Sequence, residues 1–247
     1  VSFTKDGNLI GPGSIANMNQ QLNFTVNYNK LTILNPLLDV HVNIRQNQRW
    51  DNMATNVSPS FVREIEKEIE YRFFDESKMF RGGNEFRFFD LRSLNNPGRN
   101  VAYVAKTEKP YEVFIAKDKH RGDESYSQYN DLNGAFTIDN YDYRDLNFTN
   151  YANVVFSLES PAVQGDVYVT GAFNYWNLNN ENKMFYDSAQ GLYTSKLLLK
   201  QGWYDYQYLV KSSTIPATYF EGSHFETENF YEIFVYNRPF QPRADLL

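Results

Sequence analysis

Three histidines, His41, His120 and His224, are the side chains best suited to metal ligation or to acid–base work near neutral pH. They lie far apart, and none falls in a ligand spacing such as His-Glu-x-x-His. The densest set of carboxylates is REIEKEIE, where Glu64, Glu66, Glu68 and Glu70 recur at every second position. On a strand, side chains at that spacing project side by side and do not converge on one ion. Asp131 opens DLNGAF, which starts like a calcium loop but lacks the further acidic ligands and the closing glutamate, and so reads as a turn. A carboxylate pair for glycoside hydrolysis is set by three-dimensional spacing, and 30 acidic residues make chance pairs common. No nucleophile elbow, phosphate loop or dinucleotide-binding glycine motif occurs. Cysteine is absent, which excludes disulfides, thiolate-bound zinc and thiol catalysis. The residues therefore assign no catalytic group, no metal and no cofactor, and the expected protein is not an enzyme.

The remaining chemistry is aromatic. GDVYVTGAFNYWNLNNENKMFY, from Gly165, runs a strand-like VYVTG into a turn that sets Phe173, Tyr175 and Trp176 beside Asn174 and Asn177. Such a turn suits a sugar platform, a docking surface for a partner protein, or the corner of a β-sandwich. Phe173 is expected in the core, whereas Tyr175, Trp176 and Asn177 are the candidate partner-binding residues. Large rings are common anchors at protein interfaces.

These residues must be positioned by strands. Apolar residues make up 42% of the 247, and 19 tyrosines and 20 phenylalanines favour a pleated, half-buried surface. Period-two alternation appears in LNFTVNY, VHVNIRQ, VAYVAK, YEVFIAK, NVVFSL, VYVTGAF, YTSKLLL, YDYQYLV and YEIFVY. In FVREIEKEIEYRFFD all four glutamates share one parity, so Phe61 to Phe73 reads as one strand with a solvated acidic face. KDKHRGDESYSQYNDLNGAF reads as an exposed loop ending in a turn at Asn133-Gly134. The expected fold is all-β: two immunoglobulin-like antiparallel β-sandwiches in series, residues 1–148 and 149–247. A net charge of −6 without clustered Lys or Arg excludes nucleic acid as a partner, and no apolar run reaches the roughly 20 residues of a membrane helix. The chain begins at Val1, as a fragment of a longer protein would.

Residues 165–236 resemble the glycogen-binding, early-set immunoglobulin-like modules that accompany starch enzymes and energy-sensing kinases. The matching residues are Gly171, Phe173, Asn174, Trp176, Met184, Gly191, Tyr193, Gly202, Tyr204, Tyr206, Tyr208 and Val210. In binding members a tryptophan at the position of Trp176 stacks on a sugar, a lysine lies within the Tyr-x-Tyr strand, and a second tryptophan follows it. Here Gln207 stands where that lysine is expected, and the following KSSTIP turn offers no tryptophan; Asn229 matches an asparagine that those modules use. The alternative reading, a carbohydrate-binding module, would thus rest on Trp176, Gln207 and Asn229. With two of three contacts missing, carbohydrate is not the expected partner.

A resemblance across nearly the whole chain is to the type IX secretion system plug proteins of Bacteroidota. It is carried by Gln20-Gln21 with Phe24, Val26 and Asn27, by Asn35-Pro36, by Asn47-Gln48-Arg49-Trp50, and by Gly82-Gly83-Asn84-Glu85-Phe86. It continues through Asp131, Asn133, Gly134 and Phe136, then Glu181 to Met184, Leu198 to Tyr204, and Thr227 through Arg238. The resemblance implies a periplasmic protein, associated with the outer membrane but not inserted in it. It would close the periplasmic mouth of the outer-membrane translocon barrel, its partner, without catalysis. Family members carry a further immunoglobulin-like domain ahead of the region matched here. Asp187-Ser188-Ala189 also resembles an O-glycosylation acceptor of exported proteins in such bacteria, making Ser188 a candidate modification site.

Overall fold

The computed structural model describes residues 2–5, 18–72, 79–143 and 145–238. The chain runs β1 (Ser2–Lys5), β2 (Asn19–Gln20), β3 (Leu22–Asn27), a one-turn helix α1 (Pro36–Asp39), β4 (Val40–Gln46), β5 (Met53–Ala54) and β6 (Phe61–Arg63). It continues with β7 (Glu68–Tyr71), β8 (Phe80–Arg81), β9 (Arg87–Asp90), β10 (Val101–Ala105), β11 (Tyr111–Ile115), β12 (Asp118–Lys119) and β13 (Phe136–Ile138). The last strands are β14 (Tyr151–Glu159), β15 (Asp166–Thr170), β16 (Phe185–Asp187), β17 (Leu192–Lys200), β18 (Gly202–Lys211) and β19 (Tyr231–Asn237). The fold is all-β, as the alternation predicts.

The chain does not divide at the expected 148/149 boundary. Its two compact units are residues 1–83 with 223–247, and residues 84–222. Strand pairing is the reason. β19 leaves its sequence neighbours and pairs along its whole length with β4, from Tyr231↔Gln46 to Asn237↔Val40. Conversely β9, β10, β11 and β13, expected in the first domain, pair within the second unit. The units are therefore nested in sequence, not in series.

The first unit holds the sheets β1-β3-β7-β6 and β19-β4-β5, with β2 paired to β8. Alternation turns Leu22, Phe24 and Val26 of β3 and Val40, Val42 and Ile44 of β4 inward, where they are buried with Ile69 and Tyr71. Full burial of such side chains stabilises by about 1.5–3 kcal/mol each relative to exposure. Phe24 stacks on Tyr71 at 4.6 Å. The expected single strand from Phe61 is a hairpin: β6 and β7 pair as Phe61↔Glu70, Val62↔Ile69 and Arg63↔Glu68 around a turn at 64–67, where Lys67 has φ 55°. Phe73 lies outside the described residues. Antiparallel pairing puts Val62 and Ile69 on one face, so the inward parity changes across the turn and leaves Ile65 at its tip 94% exposed. Glu70 is not on a solvated face either; it is buried, and Arg63 and Arg72 meet its carboxylate. The Arg63 hydrogen bond and charge hold that carboxyl below the usual glutamate range.

Four motifs that carry the plug-family resemblance meet in this unit. Buried Gln20 donates to the carbonyls of Phe225 (2.6 Å) and Thr227 (2.7 Å), and its Oε1 accepts from Asn229 and Tyr231. Asn47, at φ 51°, accepts from the Phe230 amide and donates to Asn229 Oδ1. The Gly83 carbonyl accepts from His224 N and Thr227 Oγ1. Together they satisfy backbone groups of the returning 223–230 segment, which has no strand of its own to do so.

In the second unit, β10-β11-β14-β17-β16 faces a smaller sheet built on β18. The first half of β18 is flanked on both edges, Tyr204 pairing with Phe89 of β9 and Phe136 of β13; its second half pairs with β15. Pairing is not wholly antiparallel, since β11 and β12 both run parallel to β14. Ala152, Val154, Phe156 and Leu158 of β14 meet Tyr204, Tyr206, Tyr208 and Val210 of β18 in one core, with Phe89 ringed by Phe156, Tyr204 and Tyr206. Among the described residues, no helix is long and apolar enough to cross a membrane.

Candidate functional site

After β15 the chain passes Gly171 into a single 3-10 turn, Ala172–Asn174, and then two left-handed residues, Tyr175 (φ 54°) and Trp176 (φ 61°). Left-handed backbone costs about 1 kcal/mol or more at a non-glycine residue, so neighbours must hold it there. The asparagines do this. Asn174 Oδ1 accepts from Thr170 Oγ1 (3.0 Å) and Gly171 N (3.1 Å). Asn182 Nδ2 donates to the carbonyls of Val169 (2.8 Å) and Asn177 (2.7 Å), tying both ends of the turn together.

The turn separates its three candidate residues. Tyr175 is 83% exposed and Asn177 is exposed, but Trp176 is buried at 8%. Its ring packs on Phe86 at 5.6 Å and lies so close over Gly134 (φ +81°) that a Cβ there would come within 2.3 Å of Cη2. The expectation that Trp176 is a surface platform is thus corrected: the DLNGAF turn and Phe86 cover it. Phe173 packs against the core, as expected. The alternative sugar-binding set is divided between the units. Gln207 sits mid-strand on β18 opposite Thr170, and Asn229 belongs to the other unit, where Gln20, Asn47 and Gly82 occupy its amide. Ser188 is exposed in the 187–191 turn, which Asp187 organises by accepting from the Ala189 and Gln190 amides.

Two carboxylates hold the DLNGAF turn beneath Trp176. Asp131 accepts from the amides of Phe86 and Asn133, and Asp205 accepts from Leu132 N, Gly134 N and Trp203 Nε1. Burial pushes Asp131 up to about 7, against the pull of its amide donors and with the help of the Asp205 and Glu85 charges. Burial likewise pushes Asp205 up to about 6, from an ordinary 3.8. A carboxyl whose folded value is raised binds protons more readily in the fold than in the unfolded chain. Its contribution to stability is therefore greatest at low pH and falls as pH rises from about 4 to about 7. Urea unfolding measured from pH 4.5 to 7.5 should show that decline, and Asp131→Asn should flatten it. An unchanged slope in the variant would show that Asp131 is not its source.

The most heavily charged cluster is buried and lies beside the core. Arg87 reaches Asp118 (2.9 Å) and Glu221 (3.0 Å), and Arg121 reaches Glu221 (2.6 Å). Tyr206 and Tyr208 both donate to Asp118 Oδ2 at 2.7 Å, and Tyr208 N donates to Glu221. Burial opposes the charge on Glu221, but the Arg121 and Arg87 guanidiniums with the Tyr208 amide outweigh it and bring its carboxyl down to about 2. Arg121 also donates to Tyr129 and to the Glu85 carbonyl. The 117–136 segment, expected as an exposed loop, is largely exposed, but Arg121 and Tyr129 fasten it inward at two points. With its donors matched to acceptors, the cluster works as a clasp. Of the three histidines, His41 and His224 belong to one unit, and His120, stacked on Tyr219 at 4.7 Å, belongs to the other. Among the described residues, no group of three or more His, Asp or Glu is placed to hold a metal ion.

The chain matches no protein-family model and no curated protein. It is similar to a solved crystal structure, a hypothetical protein from Parabacteroides merdae ATCC 43184, with a TM-score of 0.84 and 30% identity. The similarity covers 99% of this chain and 62% of that one, so the chain spans about three-fifths of its structural relative. That likeness supports the all-β sandwich fold over both units.

Sequence reading missed an apolar surface on the first unit. Leu31, Leu34, Leu37 and Leu38 are 52%, 90%, 62% and 70% exposed, and Ile65 is 94% exposed. The 31–36 loop and the 64–67 turn line one shallow recess of about 200 Å³, and Tyr28 N donates to the Lys67 carbonyl beside it. The signal was present in LTILNPLL, an aliphatic run that neither alternates nor has the length of a buried helix.

Proposed function

We propose that this chain is a non-enzymatic docking module whose partner is the outer-membrane translocon barrel of the type IX secretion system, and that it closes the periplasmic mouth of that barrel at rest. The observation that carries the docking role is the exposed Leu31, Leu34, Leu37, Leu38 and Ile65 surface. Large aliphatic side chains exposed together in neighbouring segments are a mark of interaction sites, and Leu31 and Leu34 of this set line one recess. The plug-family motifs running from Gln20 to Arg238 support the choice of partner. Tyr175 and Asn177 remain secondary contact candidates, and Trp176 is withdrawn as a direct contact because its ring is covered. A stopper must also leave when substrate arrives, which suits a modest interface.

Deleting the protein from a bacterium that carries this secretion system should let a small impermeant dye cross the outer membrane. The wild-type protein should restore the barrier, and a Leu34→Asp/Leu38→Asp variant should fail to do so while accumulating normally. An intact barrier after deletion would overturn the plug role. Full restoration by the variant would move the contact away from the leucine surface.

A further inference from the structure

We propose that the second unit carries a binding cleft for a neutral oligosaccharide, lined by Tyr111, Tyr143 and Tyr151 and separate from the Trp176 turn. The cleft encloses about 390 Å³, within the range of roughly 300–1,000 Å³ usual for small-ligand sites. Leu94 and Pro110 supply its apolar surface, and Asn95 and Asn150 its side-chain amides. Among the described residues, the three tyrosine hydroxyls make no hydrogen bond within the protein.

The walls are held before any ligand arrives. Asp142 accepts from Ser93 Oγ (2.6 Å), Leu94 N (2.9 Å) and Gln201 Nε2 (3.0 Å), locking the 93–96 loop to the 140–143 turn. Asn140 Oδ1 caps that turn by accepting from the amides of Asp142 and Tyr143, and Gln201 Oε1 accepts from Asn150 N. A site so fixed loses little entropy on binding.

The lining favours one ligand class. Among the described lining residues, one cation, Lys109, offsets one anion, Asp142, which favours a ligand without net charge. Tyrosine faces stack on the C–H faces of a sugar ring, while their phenols bond its hydroxyls; a purely apolar ligand would leave those phenols without partners. A second recess of about 340 Å³ shares Asn95 and Asp142 with the first, giving room for consecutive sugar units.

The test records amide and side-chain NMR spectra of the whole chain against xylohexaose, mannohexaose and chitotetraose. At least one should shift cleft resonances with a Kd of about 1 mM or below, the affinity of a shallow site. Tyr143→Ala and Tyr151→Ala change exposed side chains, so both should stay folded and weaken binding about tenfold. Tyr175→Ala should leave it unchanged. No shift with any of the three sugars, or binding that survives both cleft variants, would overturn the proposal. Shifts produced by decaproline and by none of the sugars would assign the cleft to extended polypeptide and overturn it as well. The outcome does not bear on barrier closure, which the dye assay reads independently.

Discussion

Glu221→Gln should lower the folding stability of this protein by about 3–5 kcal/mol, the usual cost of breaking one side of a buried ion pair. The Glu221 side chain is 2% exposed, and those of Arg87 and Arg121 are 10% and 13% exposed. Two guanidiniums and the two carboxylates of Asp118 and Glu221 bring the cluster close to neutrality. Glutamine removes one charge. Arg87 then keeps Asp118, but Arg121 keeps only Tyr129 and a carbonyl, so a cation remains buried without a counter-charge. Urea denaturation at pH 7 reads the loss directly. The same carboxyl gives a second signature at acid pH. Because its folded value lies near 2 and its ordinary value is 4.5, its contribution is whole above about 4.5 and disappears as pH falls toward 2. Glu221→Gln should remove that part of the acid sensitivity. A variant within 1 kcal/mol of wild type, roughly the scale of surface substitutions, would show that the cluster is hydrated and loosely held.

Trp176→Ala should cost about 3–5 kcal/mol as well, for a different reason. Its ring fills the space between Phe86 and Gly134, and alanine leaves a cavity that two positive-φ residues and a tight turn cannot easily close. Tyr175→Ala, one residue earlier, should stay within about 0.5 kcal/mol because that side chain is 83% exposed. Thermal melts of the two variants side by side decide the matter. Equal melting temperatures would mean that the ring is not seated as described. The pair also separates folding from recognition, since only Tyr175 is free to meet a partner without unfolding the turn.

Much of this fold was legible because strand alternation is local. LNFTVN and VHVNIRQ show their inward faces without knowledge of their partners, and β3 and β4 bury those faces. What alternation does not carry is pairing. Nothing within YEIFVY states that its neighbour is VHVNIRQ, almost two hundred positions earlier, so the domain boundary was misplaced. The REIEKEIE run failed similarly, because period two persists through a four-residue turn and conceals the reversal between Arg63 and Glu68. At the candidate site, the sequence located the aromatic turn but not which ring faced solvent. That depends on Gly134 and Phe86, which the fold alone brings under Trp176. The tyrosine cleft was invisible for the same reason, its walls coming from segments around 94, 110, 142 and 151.

The nesting of one unit inside the other governs how a nascent chain can mature. A polypeptide emerging N-terminus first presents β4 long before β19 exists, so β4 waits with one edge unpaired while residues 47 to 230 are made. The guest unit, by contrast, receives all its described strand partners in a single uninterrupted stretch from 84 to 222. Host closure thus follows completion of the guest. A product truncated before Tyr231 would carry a finished guest inside an unfinished host, with the edge of β4 open to other chains. Quality control that recognises exposed strand edges would then discard short products before they could compete with intact protein.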